Sequence, residues 1–181
     1  MAKKVLVISS SLRNNSNSEI LAKQAAKGAQ DAGHDVEFIT LKGKTLNFCK
    51  GCLACQKTMK CVIRDDASEI CGKVGNADVL IFANPIYYYE LCGQLKTLLD
   101  RCNPLYPSDY KFREVYLITA SAEDGDEVYQ TAKGGMQGWV DCFEKAELAG
   151  SLFCGGITSP GEASDNSEAQ ARAYQFGKDI E

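Results

Sequence analysis

Short apolar runs rich in β-branched residues alternate along this chain with segments of helical periodicity. The first run, residues 4–8 (KVLVI), precedes residues 16–32, where apolar side chains recur at helical spacing and Gly33 follows the last turn. Residues 35–41 (DVEFITL) then have the alternation of a strand. This order predicts two parallel strands joined by a right-handed helical crossover.

The same alternation continues to the end of the chain. Further strands are predicted at 78–83, 113–119 and 148–157, and further helices at 65–76, 90–102, 127–146 and 162–180. Asp65 and Asp66 open one of these helices, where we expect them to cap its N-terminus. Five strands alternating with five helices predict an α/β fold, a three-layer sandwich around a five-stranded parallel sheet. Ligands of such sheets bind outside the carboxyl ends of the strands, which directs attention to residues 9–18, 84–90, 119–126 and 154–160.

Size and charge exclude several classes of protein. At 181 residues we expect one domain. The net charge of −4 argues against a nucleic-acid partner, and the absence of any run of about 18 apolar residues argues against a membrane span. The first apolar run is too short for a signal-peptide core. Nine cysteines are an odd number, which does not suit a secreted disulfide framework, so we expect a cytoplasmic protein.

A serine-rich turn connects the first predicted strand to the first helix. A phosphate group at this point would gain backbone N–H groups and the positive end of the helix. Serine hydroxyls would donate further hydrogen bonds, and Arg13 would add a charged fork. A plain turn with a helix cap fits the same residues. Neither a dinucleotide fingerprint nor a nucleoside-triphosphate loop is present. The candidate phosphate ligands are Ser9, Ser11, Arg13, Ser16 and Ser18.

This turn resembles a motif of a known family. The order Ser11-Leu12-Arg13-x-x-Ser16-x-Ser18 is similar to the G-S-x-R-x-x-S-x-N loop of the NADPH-dependent FMN reductase branch of the flavodoxin-like superfamily. In that family the loop holds the FMN phosphate. Ser10 stands here in place of the usual glycine, and Ser18 in place of the usual asparagine.

A second match lies after the third predicted strand. Asn84-Pro85-Ile86-Tyr87, followed by Gln94-Leu95-Lys96 and Asp100-Arg101, is similar to the family's T-P-x-Y…LK…DR segment. In the family this segment wraps the ribityl chain and the flavin ring. The rings of Tyr87, Tyr88 and Tyr89 could stack on a flat cofactor or pack against a partner subunit. Topology alone adds Thr119 and Ser121, after the fourth strand, as contacts to the ring edge.

The resemblance implies a fold and a function. The expected fold is a single flavodoxin-like, FMN-binding domain over residues 1–181, with strand order 2-1-3-4-5 and a cysteine-rich insert at about 43–64. The expected function is an FMN-dependent oxidoreductase that uses NAD(P)H and exchanges electrons with a small molecule or a protein. A homodimer or homotetramer is expected, and no side chain is nominated as a catalytic residue. The alternatives are a non-enzymatic electron carrier of the flavodoxin type and a thiol- or metal-based redox sensor.

Four of the cysteines form the compact pattern Cys49-x2-Cys52-x2-Cys55-x5-Cys61. The C-x2-C-x2-C run is typical of cubane iron–sulfur clusters, whereas zinc sites more often use two separated pairs. A zinc site, a redox dithiol and a segment that no longer binds metal remain open. The pattern resembles the iron–sulfur flavoproteins, which implies that these four residues are ligands of a [4Fe–4S] cluster. The remaining five are expected to be small buried hydrophobes: Cys71, Cys92, Cys102, Cys142 and Cys154.

Overall fold

A parallel sheet lies at the centre of the protein in a computed structural model that describes residues 1–181. Five of its strands are parallel and follow the order β2-β1-β3-β5-β6, and β4 pairs antiparallel with the end of β3. The strands are β1 (Lys4–Ser9), β2 (Asp35–Thr40), β3 (Val79–Tyr87), β4 (Glu90–Leu91), β5 (Glu114–Ala120) and β6 (Glu147–Cys154).

The predicted five-stranded sheet of order 2-1-3-4-5 is therefore corrected to six strands of order 2-1-3-5-6. The extra strand, β4, has two residues, too few to show an alternating pattern in the sequence. It forms because β3 continues beyond the predicted end at residue 83. The register runs on to Pro85, opposite Ala120, and then to Tyr87, opposite Glu90.

Helices cover both faces of the sheet, which confirms the three predicted layers. Packed on one face are α1, α6 and α7, and on the other α3, α4 and α5. The helices are α1 (Asn17–Asp31), α2 (Cys55–Thr58), α3 (Asp66–Asn76), α4 (Gly93–Arg101), α5 (Asp126–Val140), α6 (Glu162–Asp165) and α7 (Ser167–Lys178). None of them is both long and apolar enough to cross a membrane.

Three helices differ from the sequence prediction. The helix predicted over 90–102 begins at Gly93, because Glu90 and Leu91 form β4 instead. The C-terminal helix, predicted as one element, is interrupted at Asn166, whose side chain accepts a hydrogen bond from the backbone N–H of Ala169 at 2.9 Å and so starts α7. The helix predicted over 127–146 ends at Val140. The short helix α2 inside the cysteine-rich insert was not predicted.

Alternate side chains of each strand enter opposite layers. On β1, Leu6 and Ile8 pack under α3–α5, whereas Val5 and Val7 pack under α1 and α7. The α1–α7 contact is unusually close, because a Cβ atom at Gly177 would lie 1.9 Å from the backbone oxygen of Ala25. The sheet and α1 thus form a packed platform that supports the turn between β1 and α1.

Candidate functional site

A crevice of about 240 Å³ opens at the carboxyl ends of β1, β3 and β5. Its wall contains eight of the twelve residues that the sequence proposes as cofactor ligands. The eight are Ser11, Arg13, Ser16, Ser18, Pro85, Ile86, Tyr87 and Ser121. Two motifs that are distant in the sequence therefore meet at one place, the carboxyl edge of the parallel sheet.

The β1–α1 turn forms the polar end of this crevice. Ser11 and Ser18 are buried, and Ser16 is the N-cap of α1 without a capping bond from its own side chain. The hydroxyl oxygens of Ser16 and Ser18 lie 3.1 Å apart. The first turn of an α-helix has backbone N–H groups without intrahelical acceptors, so hydroxyl and amide donors converge here. This is the arrangement that binds a phosphate.

The β6–α6 loop closes the same end of the crevice. Arg13 donates from Nη1 to the carbonyl of Thr158 at 3.1 Å, and the side-chain amide of Asn17 donates to the carbonyl of Ser159 at 2.9 Å. The side-chain oxygen of Asn17 accepts from the backbone N–H of Ala163 at 3.0 Å. Topology placed this loop near the site, but no motif identified it. The wall residues missed by sequence reasoning are Asn17, Ala120, Ala122, Ile157 and Thr158.

Four of the proposed ligands do not line the crevice. Ser9 and Thr119 are buried below it, where their hydroxyls face Glu19 Oε2 and the carbonyl of Leu152, each at 3.4 Å. Asn84 is fully buried as well, and Tyr88 lies outside the crevice on the adjoining hairpin. Strand alternation explains Asn84 and Thr119, because each is next to a wall residue, Pro85 or Ala120, and points into a helical layer. Ser9 follows Val5 and Val7 on β1 and, like them, faces α1.

Asn84 belongs to a buried polar network beneath the turn. Its side-chain oxygen accepts the backbone N–H of Cys92 at 2.9 Å, and its Nδ2 is buried without an acceptor. The Cys92 thiol donates to the hydroxyl of Ser10 at 3.2 Å, and Gln94 Nε2 donates to the Ser10 carbonyl at 2.8 Å. Burial raises the pKa of the Cys92 thiol, which keeps it a protonated donor. These bonds join the start of α4 to the β1–α1 turn.

The hairpin between β3 and β4 has a strained aromatic turn. Tyr88 and Tyr89 form its two-residue loop, and both have positive φ, 51° and 66°. Such loops favour Asn-Gly, because positive φ is unfavourable for bulky side chains. Tyr88 is 98% exposed. Tyr89 donates its hydroxyl to Glu123 at 2.9 Å, and this bond raises the pKa of Tyr89.

A second cavity of about 550 Å³ adjoins the crevice at this turn. The two cavities share wall residues, among them Ile86, Tyr87 and Ser121. Tyr88 and Tyr89 line the second cavity only. A ligand with a phosphate at the serine turn and a flat ring system beside the tyrosines could therefore occupy both.

The four predicted metal ligands lie in an exposed segment, residues 48–62, which we call the cysteine segment. Cys49 and Cys52 are exposed, Cys61 is half-buried and Cys55 is buried, where its sulfur accepts a hydrogen bond from Asn103 Nδ2 at 3.2 Å. No group of three or more cysteine, histidine or carboxylate side chains is close enough to hold a metal ion. Four thiols suit an iron–sulfur cluster in their chemistry, but they do not converge here, so their metal role stays a prediction.

The other cysteines are buried, with one exception. All nine are free thiols, and Cys142 is exposed. The prediction that Cys142 is a buried hydrophobe is wrong, because α5 ends at Val140 and leaves Cys142 in the turn that follows.

A buried ion pair joins α4 to Asp65, which lies just after the cysteine segment. The side chains of Arg101 and Asp65 are 0% and 2% exposed, and the guanidinium binds both carboxylate oxygens, at 2.7 and 2.8 Å. Arg101 also donates to the carbonyls of Asn47 and Ile63 and to the hydroxyl of Ser68. Arg101 holds the pKa of Asp65 well below its usual range. Asp65 is the N-cap residue of α3, as predicted, but its carboxylate makes no capping bond, because Arg101 and the backbone N–H of Asn47 bind it.

Comparisons with known proteins agree with these observations. The sequence model of the family described as NADPH-dependent FMN reductase matches residues 3–143. An iron–sulfur flavoprotein of Methanocaldococcus jannaschii is 41% identical over 102 residues, which cover 56% of this chain and 53% of that protein. The chain spans about half the length of the curated relatives it matches.

Solved structures show the fold. The NAD(P)H:quinone oxidoreductase from Methanothermobacter marburgensis superposes with a TM-score of 0.80 at 18% identity, covering 100% of this chain and 97% of that one. A flavodoxin from the domain Archaea superposes with a TM-score of 0.59 at 11% identity, covering 98% and 95%. The architecture is therefore flavodoxin-like, as the sequence predicts.

Proposed function

Because the chain belongs to the NADPH-dependent FMN reductase family, we propose that it is an oxidoreductase that binds FMN at the carboxyl edge of its sheet and takes electrons from NADH or NADPH. The observation that carries this proposal is the crevice, which brings the serine turn and the Pro85–Tyr87 strand end together. FMN, when bound, supplies the chemistry, since it accepts a hydride and can release electrons singly. The chain's own residues bind and orient it.

The phosphate end of FMN is assigned to the β1–α1 turn. Ser11, Ser16 and Ser18 contribute hydroxyl donors, and the start of α1 contributes backbone N–H groups and a positive dipole end. Arg13 is exposed and bonded only to a carbonyl, so its guanidinium can turn to the phosphate. Ser9 and Thr119 lie beneath the crevice and would support the wall without touching the cofactor. Asn84 would also support the crevice wall from beneath, because its side-chain oxygen accepts the backbone N–H of Cys92.

We expect Arg13→Glu to weaken FMN binding about 100-fold, because a carboxylate replaces a cation beside a phosphate dianion. Riboflavin has the same ring and no phosphate, so its affinity should not change. Arg13 is exposed, and the variant is therefore expected to fold. Quenching of flavin fluorescence on titration measures both affinities.

Arg64→Glu is the matched control, because Arg64 is also exposed and lies outside the crevice. It should bind FMN as the wild type does. Equal loss of FMN and riboflavin affinity in Arg13→Glu would place the phosphate elsewhere and refute this assignment.

The strained tyrosine turn is assigned to the flavin ring. Residues held at positive φ carry strain of about 1–3 kcal/mol each and persist where function requires the side chain. Replacing Tyr88-Tyr89 by Asn-Gly should raise the free energy of unfolding of the FMN-free protein by about 1–2 kcal/mol. The same change should weaken FMN binding about 3- to 10-fold through lost aromatic contact.

Urea unfolding and flavin titration measure these two opposite effects. Tyr106→Asn is the control, since Tyr106 is another exposed tyrosine with negative φ. A variant that is less stable and binds FMN normally would show that the two tyrosines have only a structural role.

We also propose that Cys49, Cys52, Cys55 and Cys61 hold a [4Fe–4S] cluster. The support is the spacing of the four thiols and the match to a protein named an iron–sulfur flavoprotein. Their side chains would have to turn toward one centre. Cys49 and Cys52 are exposed and free to do so, whereas Cys55 would have to leave Asn103.

Steady oxidation of a nicotinamide nucleotide distinguishes an oxidoreductase from a non-enzymatic electron carrier. The FMN-loaded protein should oxidise NADH or NADPH steadily in the presence of a quinone or azo acceptor. Bound FMN that neither nucleotide reduces would instead identify a flavodoxin-type electron carrier.

A further inference from the structure

Hydrogen bonds from Arg101 hold the residues on either side of the cysteine segment in place. We propose that Arg101 is the positioning residue of this segment: it closes the segment into a loop and ties the loop to the end of α4. This proposal rests on the function proposed above only where it concerns uptake of a cluster. Its geometry does not depend on whether a cluster is bound.

The guanidinium group of Arg101 binds the two residues that flank the segment. Arg101 Nη1 donates to the carbonyl of Asn47 at 2.7 Å, and Arg101 Nη2 donates to the carbonyl of Ile63 at 3.1 Å. Asn47 directly precedes the cysteine segment, and Ile63 directly follows it. The segment is thereby closed into a loop by a residue that is distant from it in sequence.

Asp65 strengthens this closure. It accepts two bonds from Arg101 and also the backbone N–H of Asn47 at 2.8 Å. The arrangement needs arginine, because a planar fork can bind a carboxylate and two carbonyls at once and a lysine ammonium group cannot. Arg101 is the largest fully buried side chain of the protein.

The opposite end of α4 is bound to the FMN crevice. Cys92, the N-cap of α4, and Gln94, in its first turn, both bond to Ser10 of the β1–α1 turn. Arg101 is the last residue of α4, and the helix of nine residues is about 13 Å long. A single rigid element thus links the turn assigned to the phosphate with the segment assigned to the cluster.

The first test uses the iron-free protein. Trypsin cleaves after lysine, and Lys50, Lys57 and Lys60 are exposed in the segment. In Arg101→Lys and Asp65→Asn we expect these sites to be cut about tenfold faster than in the wild type, because the ends of the segment are released. Amide hydrogen exchange of residues 48–62 should accelerate in parallel. Arg64→Lys is the matched control, and circular dichroism and FMN affinity verify that each variant is folded.

The second test adds iron and sulfide without oxygen. Arg101→Lys should incorporate less iron than the wild type, or show a shifted cluster potential, while its FMN affinity stays within about twofold. Segment protection equal to the wild type in both variants would overturn the proposal. Loss of protection with no iron uptake by any form, the wild type included, would leave Arg101 as the anchor and refute the cluster.

Discussion

Arg101→Met is expected to lower the free energy of unfolding by about 3–5 kcal/mol, because it leaves the Asp65 carboxylate buried and unpaired. The substitution keeps most of the side-chain volume, so lost packing contributes little. It also removes the donors for the carbonyls of Asn47 and Ile63. Urea unfolding of the iron-free protein, in the presence and absence of FMN, measures the loss.

The double variant Arg101→Met/Asp65→Asn is the control for this ion pair. It should be more stable than Arg101→Met, since no buried charge remains. The pair also gives a pH signature: the lowered pKa of Asp65 means that its contribution is present above about pH 4 and is lost as the pH falls below that value. Asp65→Asn should therefore flatten the acid side of the stability profile. A loss below about 1 kcal/mol in Arg101→Met would show that the pair behaves as an exposed one.

Gly177→Ala should destabilise the protein by about 3 kcal/mol or more, because the new Cβ has no room. It would lie 1.9 Å from the backbone oxygen of Ala25 on α1, and backbone atoms cannot rotate away. Gly28 has the reciprocal position, with a Cβ 2.0 Å from the backbone oxygen of Tyr174. The two helices would have to separate and open the core beneath α1.

Gly134→Ala tests the opposite expectation in the same protein. Gly134 is exposed within α5, and a Cβ there would meet nothing within 4 Å. Alanine should therefore stabilise it by about 0.5–1 kcal/mol through helix propensity. Equal stability of Gly177→Ala and the wild type would contradict the close α1–α7 packing.

Local patterns predicted much of the fold. The β1–α1 turn was identified because the strand, the serines and the helix period are contiguous in the sequence, and the structure places them as expected. The β3–β4 hairpin was missed because Tyr88-Tyr89 has none of the turn chemistry that marks such loops. Only the structure shows that the chain tolerates these residues at positive φ.

Long-range pairing explains the misses in the candidate site. Asp65 follows the pattern of a helix cap, but Arg101, 36 residues away, takes its carboxylate. The resemblance implies that Arg101 belongs to the segment that wraps the flavin. In the structure, Arg101 instead donates hydrogen bonds to Asn47 and Ile63, which flank the cysteine segment. Strand alternation likewise turns Asn84 away from the crevice wall, although the motif it belongs to reaches the wall at Pro85.

The most direct test of the central claim is the cofactor content of protein purified without oxygen, measured by visible absorbance, FMN release, and iron and sulfide assays. The account predicts the twin bands of an oxidised flavin, equimolar FMN, a broad additional shoulder and about four irons per chain. Flavin without iron would support the FMN site and refute the cluster. A protein that retains no flavin, and binds none when FMN is added, would contradict the account.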